Sequence, residues 1–194
     1  MKKWIALLCV LVLCINLAAC GKTNALATDA ALTDLKDQTL RLGGQMPNFV
    51  ISDALGNEYT LYDLLEEKKM VMLNFWFIDC PYCVMEFPSI QQAYSQYQDQ
   101  VAILAVNPYD AASSMVGFGQ QYGLQFTLCP DGPGLSEAFG VTGYPTTVVI
   151  DRNGMICLLQ AGAVPYEEVF LRMFAYFTAE DYRSEVLYNM QRFM

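Results

Sequence analysis

Asn74-Phe75-Trp76-Phe77-Ile78-Asp79-Cys80-Pro81-Tyr82-Cys83-Val84-Met85-Glu86-Phe87-Pro88 is the stretch on which the reading of this chain turns. It overlaps an apolar run, Met70 to Phe77, rich in Val, Leu, Phe and Trp and without polar alternation. Such a run predicts a strand covered on both faces, since alternation marks a strand with one wet face. Cys80 follows within three residues, and Pro81 stands where a helix would begin. Proline suits a first helical position because that N–H has no intrahelical partner in any case. Cys80 is thereby placed at a helix N-terminus, with Cys83 one turn further on the same face.

That placement has chemical content. The thiolate is the reactive form of cysteine, and the partial positive charge of a helix N-terminus favours it. Two cysteines three residues apart at a helix start can close a disulfide with little backbone movement. Cys80, nearer the exposed end, would attack a substrate disulfide, and Cys83, deeper, would resolve the mixed disulfide. A purely structural disulfide and half of a zinc site are the alternatives. Zinc needs more ligands, and the chain has no His and no second C-x-x-C.

With Asn-Phe-Trp leading into C-x-x-C, and Glu86-Phe87-Pro88 following the second cysteine, the chain resembles the thioredoxin-like thiol–disulfide oxidoreductases of the TlpA/ResA type. The resemblance runs from about Gly43 to Arg172. It implies an α/β fold: a thioredoxin-like mixed central sheet flanked by helices, with an N-terminal β-hairpin. It also implies that Pro145, in Gly143-Tyr144-Pro145-Thr146, is the cis proline that faces the redox pair in that family. Sequence mechanics alone would leave Pro145 as a trans proline starting a strand. With the cis bond, the backbone of Tyr144 would be free to pair with an extended substrate segment.

Glu86 lies one turn beyond Cys83 on its face. A partly buried carboxylate there would have a raised pKa and could exchange protons with the thiols, as the Glu of this motif does in the ResA-like subgroup. The alternative is a solvated Glu that complements the helix dipole. Trp76 is expected beside the site, as a substrate-binding residue or as a plain core aromatic. Asp79 departs from the family, which often has an uncharged residue there, and should raise the pKa of Cys80. Pro81-Tyr82 is a second departure, because Cys-Pro-Tyr-Cys is the glutaredoxin tetrapeptide. It leaves the reduction potential open.

Outward from the centre, the chain begins with a targeting segment. Lys2 and Lys3 precede an apolar run, Trp4 to Leu17, that is short for a membrane span. Leu17-Ala18-Ala19-Cys20 then resembles a bacterial lipobox, in which residues 1–19 are removed and Cys20 is acylated at sulfur and nitrogen with palmitate-type chains. An uncleaved anchor and an ordinary secretory signal are the alternatives. Each buried CH₂ of such chains contributes about 0.8 kcal/mol, so several chains anchor firmly. Residues 20–45 read as a loosely held tether, residues 46–177 as the domain, and residues 178–194 as a helical extension. In that extension Thr178 and Asp181 resemble a capping box, starting a helix from Ala179 to Phe193 with Tyr182, Val186, Met190 and Phe193 on one face.

Composition narrows the partners. Formal net charge is −9 over 194 residues. Without Lys2 and Lys3, nine basic side chains face 20 acidic ones, a charge near −11. That argues against nucleic acid and anionic lipid as electrostatic partners. Cys129 and Cys157 fall near opposite edges of the expected sheet, too far apart to pair, and read as small buried hydrophobes.

The expected activity is thiol–disulfide exchange with protein substrates, in the reductase direction, on the extracytoplasmic face of the bacterial cell membrane. The resemblance implies a membrane-embedded thiol donor, with cytochrome c maturation or disulfide repair as pathways. A monomer without cofactor or metal is expected. A peroxiredoxin-like peroxidase would want Thr or Ser three residues before its cysteine, where Phe77 stands. A copper-delivering relative would want a distant His. A non-catalytic lipoprotein with a Cys80–Cys83 staple is the remaining rival.

Overall fold

The computed structural model describes residue 35 and residues 38–194. The targeting segment, Cys20 and most of the tether lie outside the described residues. Among those described, no helix is long and apolar enough to cross a membrane.

A short antiparallel hairpin, β1 (Val50–Ser52) and β2 (Glu58–Thr60), opens the fold and leads into α1 (Leu61–Glu67). Then come β3 (Met70–Phe75), α2 (Pro81–Tyr97), β4 (Val101–Asn107), α3 (Ala112–Tyr122) and β5 (Thr127–Pro130). A short α4 (Leu135–Ala138) precedes β6 (Thr146–Asp151), β7 (Ile156–Ala161) and α5 (Glu167–Thr178). The five-stranded sheet has the order β5-β4-β3-β6-β7. β3, β4 and β5 run parallel, while β6 is antiparallel to β3 and to β7. This mixed sheet between helices, preceded by a hairpin, is the architecture the resemblance implied.

The central strands are buried along their whole length, as their continuous apolar runs require. Alternate side chains serve two cores. Met70, Met72 and Trp76 face α2, α3 and α5, where Phe87, Ile90, Phe118, Phe170 and Phe174 meet them. Val71, Leu73 and Phe75 face the hairpin, α1 and α4, against Phe49, Ile51, Leu61 and Leu135. The even-numbered face of β3 is therefore the one that looks at the cysteine-bearing helix.

Two expectations change at the ends of the domain. Residues 38–45, read as loose tether, are held against the sheet. The N–H of Gly43 donates to the Ile156 carbonyl and the N–H of Ile156 to that of Gly44 (2.8 and 2.9 Å), while Leu40 N–H reaches Ala138. Leu35 is fully buried beside this segment's own core. At the other end there is no helix from Ala179 to Phe193. Thr178 is the last residue of α5, and its hydroxyl donates back to the Phe174 carbonyl instead of capping a new helix. The chain then runs as an irregular strap, with one parallel bridge between Leu187 and Leu158 and a closing 3-10 turn, Met190–Phe193. Tertiary bonds replace the helical ladder. Arg152 donates to the carbonyls of Phe177 and Ala179, and Leu187 N–H donates to the Cys157 carbonyl. Of the four residues given to one helical face, Met190 and Phe193 are buried, Tyr182 is partly so, and Val186 is exposed.

Candidate active site

Five residues separate the end of β3 from the start of α2, with Cys80 as the N-cap of the helix in an extended conformation and Pro81 at the first helical position. The Cys83 N–H donates to the Cys80 carbonyl at 3.1 Å and to Cys80 Sγ at 3.2 Å. Cys80 and Cys83 are joined by a disulfide, with Cα atoms 5.3 Å apart. Cys80 is 3 % exposed and Cys83 0 %, so of the two only Cys80 reaches the surface. The helix N-terminus behind it favours the sulfur as thiolate once the bond is opened.

The sheet register brings the second motif to this end. Phe75 lies opposite Thr146 in the β3–β6 ladder, so Trp76 and Pro145, the next residues outward, share the same end of the sheet. The Tyr144–Pro145 peptide bond is cis. The Pro145 carbonyl accepts from Gly162 N–H at 2.9 Å, whereas the N–H and carbonyl of Tyr144 have no hydrogen-bond partner among the described residues. The Tyr144 ring, half-buried, packs edge-on to Phe77 and against Tyr109, with centroids 5.3 and 5.6 Å apart, and its hydroxyl donates to that of Tyr109 at 3.2 Å. Burial pushes the Tyr144 phenol up. Asp110 ties this rim together, accepting from Ile78 N–H and from Asn107 Nδ2, both at 2.8 Å. Tyr82, Met85 and Tyr109 stand exposed around the pair, and Asp79 is exposed beside it.

Beneath the pair sits Glu86, 1 % exposed. Its Oε1 accepts from Asn74 Nδ2 at 3.0 Å and its Oε2 from Val164 N–H at 2.7 Å. Desolvation outweighs these two donors and pushes the carboxyl up to about 7. The solvated reading of Glu86 is thus excluded. A carboxyl with this pKa, one turn from Cys83, is matched to give and take protons near neutral pH.

Of the two readings of Trp76, the plain core aromatic is the one its burial favours. It is fully buried, 5.0 Å between ring centroids from both Phe87 and Phe118, and lies under α2 without lining the surface. Sequence reasoning also missed Asn74, Thr147 and Tyr109. Asn74 had a signal: it is the polar residue within an otherwise apolar strand, and a buried polar group needs a partner. Tyr109 had none, because only the fold brings the β4–α3 loop to this rim.

The remaining described cysteines are free and buried on the two edge strands, β5 and β7. Burial pushes the Cys129 thiol up and that of Cys157 up to about 12, the opposite of an activated thiol. Among the described residues no group of three or more His, Cys, Asp or Glu is placed to hold a metal ion.

Comparison with known proteins agrees with this geometry. The model of the AhpC/TSA family matches residues 42–158. The thiol-disulfide oxidoreductase ResA of Halalkalibacterium halodurans is 36 % identical over 131 residues, which cover 66 % of this chain and 73 % of that protein. The thioredoxin-like protein YneN of Bacillus subtilis is 31 % identical, over 69 % of this chain and 79 % of that protein. Among solved structures, one from Neisseria meningitidis with the provisional assignment of thioredoxin superposes with a TM-score of 0.60 at 31 % identity, covering 70 % of this chain and 91 % of that one. Another, from Chlorobium tepidum and provisionally assigned as a DsbE thiol:disulfide interchange protein, gives 0.57 at 30 % identity, covering 66 % and 89 %. A disulfide at a helix tip, a cis proline at the same end of the sheet and relatives that share the fold lead to one statement: this chain belongs to the AhpC/TSA family and, within it, to the ResA-like thiol–disulfide oxidoreductases of thioredoxin-like fold.

Proposed function

We propose that the protein reduces disulfides in protein substrates on the outer face of the cytoplasmic membrane, held there by acyl chains on Cys20. The observation that carries the reading is the Cys80–Cys83 pair at the N-terminus of α2, with cis Pro145 at the same end of the sheet and Glu86 buried one turn on. In the reduced protein the Cys80 thiolate attacks a substrate disulfide. One S–S bond breaks, a substrate sulfur leaves as thiolate, and a mixed disulfide forms. Glu86 then takes the proton from Cys83, whose sulfur attacks Cys80. The intramolecular disulfide closes, and the second substrate sulfur leaves. Two electrons have passed to the substrate. A membrane-embedded thiol donor restores the dithiol, and the monomer needs no other group.

Pro145 shapes the groove, and the unpaired backbone of Tyr144 receives an extended substrate segment as a short added strand. Cys83→Ala tests the scheme. In cells it should retain substrate proteins on Cys80 as adducts that a reductant releases. If Cys83→Ala retains nothing and the wild type fails to reduce a peptide disulfide, the scheme is wrong. Dithiol oxidation faster with peroxide than with disulfide would make the protein a peroxidase instead.

A further inference from the structure

Asn74 lies on the face of β3 that looks at α2, and it is fully buried. It spends both amide hydrogens: Nδ2 donates to Glu86 Oε1 at 3.0 Å and to Thr147 Oγ1 at 3.1 Å, across the register pair Asn74–Thr147. Its Oδ1, equally buried, has no partner among the described residues. A buried carbonyl without a donor is uncommon and calls for an account.

The account comes from what Glu86 must do. As a carboxylate it only accepts hydrogen bonds; once protonated it must also donate one. An asparagine amide has a donor and an acceptor of nearly the same shape, related by a half-turn about its last bond, and that bond has a broad two-fold preference. With the amide as it stands, Nδ2 serves the carboxylate. Turned over, Oδ1 would receive the carboxyl O–H, and the Thr147 hydroxyl, which can accept or donate, would donate to the same oxygen. In either orientation one end of the amide goes unpartnered. Turning over would put the two N–H groups where the bare oxygen now lies, so the present orientation is the favoured one beside the carboxylate, and the O–H of the protonated carboxyl is what would draw the amide over.

We propose that Asn74 is the positioning residue for proton transfer by Glu86: its amide holds the carboxylate as donor and, turned over, holds the protonated carboxyl as acceptor. The proposal rests on the reading of Glu86 as proton carrier. The groups around Glu86 are few. α2 contributes the disulfide one turn earlier, β3 Asn74, β6 Thr147 through Asn74, and the segment before α5 the Val164 N–H. Among the described residues no charged side chain contributes to the shift of its pKa, so donor count and burial set it.

The test is an NMR titration of the oxidised wild-type protein, following the Glu86 carboxyl carbon and the Asn74 side-chain amide from about pH 5 to about pH 9. The amide signals should move with the midpoint of the carboxyl. An amide that stays fixed while Glu86 titrates overturns the proposal. A second arm measures the reduction of a peptide disulfide against pH. Asn74→Leu should raise the midpoint of Glu86, and the pH limb of the rate, by about one unit, since the carboxylate loses a donor. A merely structural role would lower the rate at every pH and leave the midpoint in place, which also overturns it. Glu86→Gln separates the two levels. If that variant keeps the wild-type profile, the proton role of Glu86 falls, and this proposal with it. If it abolishes the limb while Asn74→Leu leaves the limb unmoved, only the role of Asn74 falls.

Discussion

β6 joins two sites of opposite character. Near its start, Thr147 accepts from the Asn74 amide that also holds Glu86; its last residue, Asp151, is the hub of a second buried polar cluster at the other end of the sheet. Both carboxylates are out of solvent, and both lie near cysteine. Glu86 has two donors. Asp151 has four: the N–H groups of Asn153 and Met155 on Oδ1 at 2.9 Å, and the hydroxyls of Tyr182 and Ser184 on Oδ2. The Tyr182 hydroxyl in turn lies 3.3 Å from Cys157 Sγ. The difference teaches that burial alone does not decide what a carboxylate does. A carboxylate supplied with four donors is committed to the turn and the strap it pins. On the proposed scheme, one supplied with two, one turn beyond a redox pair, trades its proton.

The sharpest break in this comparison is Cys80→Ser, which should abolish reduction of a peptide disulfide, with the rate falling to the uncatalysed background; the matching change Cys157→Ser should leave that rate intact. Glu86→Gln should lower the rate about a hundredfold near neutral pH in a stopped-flow assay, the usual scale for removing a general acid–base group. Its second effect has a definite sign. Between the ordinary carboxyl value of 4.5 and the folded value of about 7, the folded oxidised protein holds a proton the unfolded chain has lost. The stabilisation is complete below that window and is lost as pH rises through it, by about 3 kcal/mol. Urea unfolding at several pH values should show that decline in the wild type and not in Glu86→Gln.

Asp151→Ala should invert the pattern. It strands four donors and should cost about 3 kcal/mol in urea unfolding, while the folded fraction keeps exchange within about twofold. Smallest is Cys129→Ala, a buried thiol outside both clusters. About 1 kcal/mol of stability and no change in rate are expected there.

Much of the redox end was legible because its information is local. Cys80, Pro81 and Cys83 define a helix start by spacing alone, and Glu86 follows at one further turn. The apolar runs of β3 and β4 mark central strands for the same reason. The strap was misread because Tyr182, Val186, Met190 and Phe193 recur at helical intervals, whereas their fates are set by groups far away in sequence. Tyr182 is drawn to Asp151, and Arg152 takes the carbonyls that would have begun the next helix. Residues 38–45 were misread in the same way: their small, polar composition says nothing of the carbonyls of Ala138 and Ile156 that fix them.

The strap has a practical corollary for anyone handling this protein. β7 is an outer strand, and Leu187, Met190 and Phe193 close its flank and the aromatic floor beside it. Trimming the last sixteen residues, or forcing a bulky fusion against Met194, would bare a row of amides ready to zip onto a neighbouring copy. An affinity handle is therefore better placed ahead of residue 35, and clumping of a shortened version should be blamed on that uncovered border before the redox chemistry is suspected.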